Sequence, residues 1–146
     1  MTPAQLARLH ARAFTFPRPW SEQEFAELLE QPGVFLLTGA QGFLLGRVIA
    51  DEAELLTLAV DPDHRRQGIG QALVAKFLIE SATRGAVTAF LEVAADNAPA
   101  LMLYQTAGFE QAGCRNAYYI GPVGRKLDAR VLRRDLSPAE AAAKAP

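Results

Sequence analysis

The sequence predicts an α/β domain built on a mixed, mostly antiparallel sheet, and three observations carry that expectation. Val34 to Thr38, Phe43 to Ala50 and Glu54 to Val60 are strand-type runs joined by turn-length gaps, the pattern of an antiparallel meander. An amphipathic run from about Ile69 to Arg84 separates Val60 from the next apolar strand, Val87 to Val93, and strand, helix, strand in succession calls for a crossover and a parallel pair. The 146 residues are 50% apolar and 21% charged, enough to bury one core, and no internal repeat or linker divides them. Residues 1–136 therefore read as a single domain, and the Ala- and Pro-rich stretch 137–146 is expected to fray.

Thr2-Pro3-Ala4-Gln5 has the form of a capping box with Pro at the first helical position, and the helix it opens carries Leu6, Leu9 and Ala13 on one face. Phe16-Pro17-Arg18-Pro19 is a rigid break. Ser21-Glu22-Gln23-Glu24 is a second capping box, with Trp20 placed to staple onto Phe25. This helix runs to about Glu30, turning Phe25, Leu28 and Leu29 inward and its four glutamates mostly outward, until Pro32-Gly33 ends it. After the meander, the 69–84 helix buries Ile69, Leu73, Val74, Phe77 and Leu78 and stops at Gly85. Asp96 or Asn97 caps a short helix that ends at Gly108, and Phe109 to Tyr119 and Leu127 to Leu136 are the last strands.

The stretch Leu58 to Gly70, LAVDPDHRRQGIG, joins the meander to the long helix. Pro62 cannot donate to a sheet ladder, so the strand stops near Asp61. Gly68 and Gly70 fall where the helix opens and strip side chains from backbone N–H groups that lack an intrahelical partner. Those groups, the positive end of the helix dipole and the adjacent Arg65 and Arg66 form a site suited to phosphate or pyrophosphate. A tight turn with glycines chosen for packing would leave the same signature. GxGxxG and GxxxxGK[ST] are both absent, which disfavours a dinucleotide fingerprint and a P-loop.

Glu92 lies inside VTAFLEVAA, with apolar neighbours on both sides. A carboxylate buried there costs several kcal/mol unless paired, and desolvation favours its neutral form, which suits a general base near neutral pH. The alternative is a strand-end glutamate that reaches water. Tyr104, on the short helix after the same strand, is the second candidate; Asn97 serves equally well as a plain cap. His10 and His64 have no matching ligand set, so no metal site is expected. Cys114 cannot form an internal disulfide and reads as a small, partly buried hydrophobe rather than a nucleophile. A net charge of −1 argues against general nucleic-acid binding, and no apolar run approaches a membrane span, so a cytoplasmic protein is expected.

VDPDHRRQGIGQAL (60–73) resembles the acetyl-CoA signature of the GNAT N-acetyltransferases, a Gln or Arg, two residues, Gly, one residue, then Gly or Ala, here Arg65 to Gly70. LEVAADN (91–97), LYQTAGF (103–109) and Tyr118-Tyr119 follow in the family's order and spacing, and PWSEQEF (19–25) precedes them. The resemblance covers about residues 3–136. It implies the GNAT-type sheet, with central strands that splay apart around Leu58 and Phe90. The family usually begins with a strand, whereas here a helix cap already stands at Thr2, so the first edge strand is expected to be missing.

For individual residues the resemblance implies that Leu58, Ala59 and Val60 offer main-chain groups to the pantetheine arm of acetyl-CoA. Arg65, Arg66, Gln67, Gly68, Ile69, Gly70 and Gln71 surround the pyrophosphate, and Asn97 adds a cofactor contact. Glu92 falls on the family's proton acceptor and Tyr104 on its proton donor. The branch it most resembles acetylates the N-terminal alanine of a small-subunit ribosomal protein, which implies that peptide as partner, no direct nucleic-acid or membrane contact, and a monomer or weak homodimer. It also puts the acidic 21–30 helix beside the substrate groove; a solvated helix face is the other reading. The six basic residues between Arg115 and Arg134 are read as surface decoration. Two alternatives remain: acetylation of a small amine such as a polyamine or aminoglycoside, and a non-catalytic acyl-CoA sensor.

Overall fold

The computed structural model describes residues 1–14, 18–120 and 126–142, with the side chains of 117–120 outside the described set. Two helices open the chain, α1 (Pro3–Ala13) and α2 (Glu22–Glu30), each with the capping box expected of it. Strands β1 (Val34–Gly39), β2 (Gly42–Ile49) and β3 (Glu52–Val60) form the meander. Helix α3 (Ile69–Thr83) crosses over to β4 (Thr88–Ala94), and α4 (Ala98–Thr106), β5 (Glu110–Ile120), β6 (Lys126–Asp135) and α5 (Pro138–Ala142) follow. The six strands lie in the order β1-β2-β3-β4-β6-β5, antiparallel everywhere except between β3 and β4. Among the described residues no strand precedes α1, as expected.

The helices cover opposite faces of the sheet. Leu6 of α1 and Phe25 of α2 are buried against Phe43, Leu45 and Ala59, and Trp20 staples onto Phe25 with ring centroids 5.5 Å apart. Leu73, Val74 and Phe77 of α3 and Tyr104 of α4 pack on the other face against Leu44, Ala53, Leu55 and Leu91. Gly46 lets that layer close, because a Cβ there would stand 2.6 Å from the Phe35 ring.

Two irregularities shape the middle of the sheet. The parallel pairing of β3 with β4 extends only over Glu52–Glu54 and Thr88–Phe90, after which the strands part. In the same region Leu45 opposes Thr57 and Gly46 opposes Leu55, so Leu56 has no opposite residue and β3 carries a bulge. A bulge bends its strand and shifts the alternation of faces. Ala53 and Leu55 accordingly point to the α3 side, whereas Leu56 and Ala59 join the α1–α2 side. The sequence predicts an unbroken strand here, since Leu55, Leu56 and Thr57 all suit β structure equally well.

The end of the chain also differs from expectation. Pro138–Ala142 is helical, opened by Ser137, whose N–H donates to Glu140 Oε2 at 3.0 Å, while Arg134 pairs with the same carboxylate. Ser137-Pro138-Ala139-Glu140 has the Ser-x-x-Glu form of a helix start with Pro at its first position, and that local signal outweighs the Ala- and Pro-rich composition.

Candidate active site

Where β3 and β4 part, a cleft of about 1080 Å³ runs through the sheet, lined on one side from α3 and α4 and on the other from α1 and the segment before α2. Beyond Glu54, the edge of β3 that faces β4 has no strand partner, which leaves main-chain groups near Leu58 and Val60 available to a ligand. Leu58 and Val60 line the cleft; the Ala59 side chain turns away into the α1–α2 core.

The turn into α3 is built for an anion. Asp61 ends β3 and accepts from Asp63 N–H at 3.0 Å and from Arg12 Nη1 at 2.9 Å, contacts that fasten the turn to α1. The Asp63 N–H, with Arg12 beside it, holds the Asp61 carboxyl below its ordinary range. Arg66 and Gly68 both take positive φ, 64° and 78°, and such residues close to one another make main-chain N–H groups converge. Helices α1, α2 and α4 each have a side-chain N-cap, but α3 has none, so its first N–H groups meet no capping oxygen. The space around Gly68 is open, with nothing within 4 Å of where a Cβ would sit. Arg65, Arg66, Gly68, Ile69, Gly70 and Gln71 line the cleft; exposed Gln67 does not. This unfilled donor set fits the diphosphate of a nucleotide such as coenzyme A. Asn97 lines the cleft while its Oδ1 caps α4, accepting from Ala100 N–H at 3.2 Å.

Glu92 and Tyr104 both open onto this cleft. Of the two readings of Glu92 the one that reaches water holds: its side chain is 25% exposed, and its Oε1 accepts from Arg115 Nη1 at 2.7 Å. The splaying of β3 from β4 removes the neighbour that would have buried it. Tyr104 is buried, its ring edge-on to Phe109 at 5.9 Å, and burial raises its phenol well above the ordinary range. It therefore keeps its proton at neutral pH and faces the cleft as a proton donor.

Sequence reasoning passed over the opposite wall. His10, set aside for want of a ligand set, is buried and lines the cleft with Phe14, Trp20, Leu56 and Thr57. Its Nδ1 accepts from Trp20 N–H at 3.0 Å and its Nε2 lies 2.9 Å from Thr57 Oγ1. The signal available was a histidine on the apolar face of α1, one turn after Leu6, but its partner Thr57 is 47 residues away. Arg18 and Trp20 line the cleft but none of the α2 glutamates does, and Glu24 is engaged by Arg18 at 2.8 Å. Cys114 is exposed, contrary to the expectation of partial burial, because it lies on the outermost strand β5. Arg115, Arg133 and Arg134 pair with Glu92, Asp135 and Glu140. The side chains of Tyr118 and Tyr119 lie outside the described residues. Among the described residues no group of three or more His, Cys, Asp or Glu could hold a metal, and no helix is long and apolar enough to cross a membrane.

Comparison with known proteins gives this geometry a family. The chain is 40% identical over 133 residues to a [Ribosomal protein bS18]-alanine N-acetyltransferase of Escherichia coli (strain K12), covering 88% of each chain. It is 36% identical over 138 residues to an N-alpha-acetyltransferase RimI of Mycobacterium tuberculosis, covering 88% of this chain and 84% of that one. The crystal structure of the ribosomal-protein-S18-alanine N-acetyltransferase from Escherichia coli superposes with a TM-score of 0.81 at 36% identity, over 92% of this chain and 87% of that one. Residues 4–109 match the model of the Acetyltransferase (GNAT) family. By that match and by identity over nearly its whole length, the chain belongs to the GNAT family of acetyltransferases.

Proposed function

We propose that the protein transfers the acetyl group of acetyl-CoA to the N-terminal alanine amine of the small-subunit ribosomal protein bS18. The observation that carries this reading is the 40% identity, across 88% of both chains, with an enzyme of that name. The cleft supports it chemically. Its α3 end offers the uncapped N–H groups, Arg65 and Arg66 to the pyrophosphate, and the free edge of β3 offers main-chain groups to the pantetheine arm. Acetyl-CoA supplies an activated thioester carbonyl.

The chain's own residues manage the protons. An N-terminal amine has a reference pKa near 8, against ~10.4 for lysine, so a modest base suffices to expose its lone pair at neutral pH. Glu92, directly or through one water, accepts the proton as the amine attacks the thioester carbon, and a β3 main-chain N–H polarises the carbonyl oxygen. The N–C bond forms and the C–S bond breaks. Tyr104, protonated by virtue of its burial, gives its proton to the departing thiolate. No covalent enzyme intermediate is required, and exposed Cys114 has no part.

Release of free thiol from acetyl-CoA tests this with three acceptors: a peptide beginning Ala-Arg, the same peptide N-terminally blocked but carrying a lysine, and spermidine. Turnover with the free alanine alone, lost in Glu92→Gln and Tyr104→Phe, is the expected result. Turnover with spermidine alone would assign a small-amine enzyme, and acetyl-CoA binding without turnover on any of the three would assign a sensor.

A further inference from the structure

The hydrogen-bond polarity of the His10 wall has a chemical consequence. Trp20 N–H donates to Nδ1, so that nitrogen carries a lone pair. A neutral imidazole then has its single proton on Nε2, and Nε2–H donates to Thr57 Oγ1 at 2.9 Å. His10 therefore cannot accept the Thr57 proton, which excludes a hydroxyl–imidazole nucleophile pair at this wall. The Thr57 hydroxyl, only 8% exposed and facing the cleft, is held as an acceptor from His10 and keeps its own hydrogen unspent. Among the described residues it has no other partner. A buried donor without an acceptor is costly, so its position beside a ligand cleft calls for a ligand oxygen.

Two ligands share the cleft. The anion turn and Tyr104 lie on the α3–α4 side, whereas Thr57 is turned by the β3 bulge to the α1–α2 side with His10. Resting on the acetyl-transfer reading above, we infer that the Thr57 hydroxyl, positioned by neutral His10, donates a hydrogen bond to the carbonyl oxygen of the acceptor's first residue. An α-amine on a peptide carries that carbonyl two bonds from the nitrogen; a lysine side chain or a polyamine does not. Thr57 thereby recognises the acceptor as an N-terminus, and His10 is a positioning residue.

The test pairs Thr57→Val, which keeps the shape and removes the hydroxyl, with two acceptors: an Ala-Arg peptide and the same peptide with its first amide replaced by an (E)-alkene. Thr57→Val is expected to lower kcat/KM for the normal peptide about three- to tenfold, mainly through KM. It should leave the KM for acetyl-CoA unchanged and cost nothing further on the alkene peptide. His10→Gln, which retains a donor toward Thr57, should keep more activity than His10→Asn, and that difference should vanish in the Thr57→Val background. A nitrogen-15 spectrum of the intact protein should show His10 as the Nε2–H tautomer. Equal losses on both peptides, a raised KM for acetyl-CoA, or an Nδ1–H tautomer would each overturn the inference. A wild-type protein inactive on the alanine peptide would instead overturn the acetylase reading, and the carbonyl assignment with it; active wild type with non-discriminating variants would sink this inference alone.

Discussion

Arg115 sets its Nη1 2.7 Å from Oε1 of Glu92 although 23 residues separate them, because β6 lies between their strands and brings both side chains to one face. Arg115 stands opposite Ala129 and Ala129 opposite Ala94, so the arginine reaches diagonally to the cleft mouth. The pair is open to water, with Glu92 25% and Arg115 51% exposed, so the ion pair contributes little to folding, under about 1 kcal/mol. Its importance is positional: it steadies one carboxylate oxygen at the edge of the cleft.

Glu92→Gln and Arg115→Gln should therefore separate in activity and not in stability. A lost general base costs about a hundredfold or more in kcat. We expect that loss for Glu92→Gln and less than about tenfold for Arg115→Gln, with neither changing unfolding free energy by more than about 1 kcal/mol. Steady-state kinetics beside denaturant unfolding check both; equal losses of activity would mean that Arg115 does more than steady the carboxylate.

Tyr104→Phe should retain the fold, since its ring, edge-on to Phe109, makes the packing contacts and its hydroxyl has no partner among the described residues. The expected loss in kcat is on the order of 10²-fold. Burial raises the Tyr104 phenol, so the folded protein holds its proton beyond the ordinary tyrosine range, and kcat should show no alkaline fall as pH passes about 10. A kcat that falls with a midpoint near 10 would remove Tyr104 from the role of acid.

The turn before α3 predicts two effects of opposite sign. Arg66 takes φ 64°, which costs an L residue about 1–2 kcal/mol, part of which glycine recovers against its own chain entropy. Arg66→Gly should raise stability by roughly 0.5–1 kcal/mol while raising the KM for acetyl-CoA, because a cation is withdrawn from the phosphate site. Gly68→Ala introduces the same strain at φ 78° and should lower stability by about 1–2 kcal/mol. Thermal melts with and without acetyl-CoA read both. A stabilised Arg66→Gly with unchanged KM would take that side chain out of the cofactor site.

What could be read from the sequence follows the range of the interactions involved. The two capping boxes, the meander and the strand-to-helix turn at Asp61–Gly70 are set by neighbouring residues, and they appear as expected. The Leu56 bulge depends on strand partners, not on local preference, so nothing in Leu55-Leu56-Thr57 announces it. The apolar neighbours of Glu92 in sequence leave its burial open, because its exposure is decided by where β3 leaves β4. The contact of His10 with Thr57 spans 47 residues and needs the bulge, which is why a histidine on a helix face carried no functional signal.

His10 also predicts how the fold responds to acid. Its imidazole lies among Phe14, Trp20, Phe25 and Phe43, and desolvation lowers its pKa from 6.5 to about 4, against a smaller opposing pull from Glu24 of α2. Glu24 is held at about 2 by its bond from Arg18 and by the Ser21 cap, so it stays charged across the range that matters. For a histidine whose folded pKa is depressed, the unfolded chain takes up the proton first. The stabilisation is therefore complete above about 6.5 and is lost as pH falls from there to about 4, below which the folded form is protonated too. The full loss is roughly 3 kcal/mol. Protonation would also set an Nδ1–H against the Trp20 N–H, so the same titration should loosen the segment before α2. Urea unfolding at a series of pH values should show wild type losing this increment between about 6.5 and 4, with His10→Gln less stable at neutral pH and falling less across the window, through its depressed carboxylates Glu24 and Asp61 alone. Parallel curves for the two proteins would mean that the imidazole is not held neutral by burial.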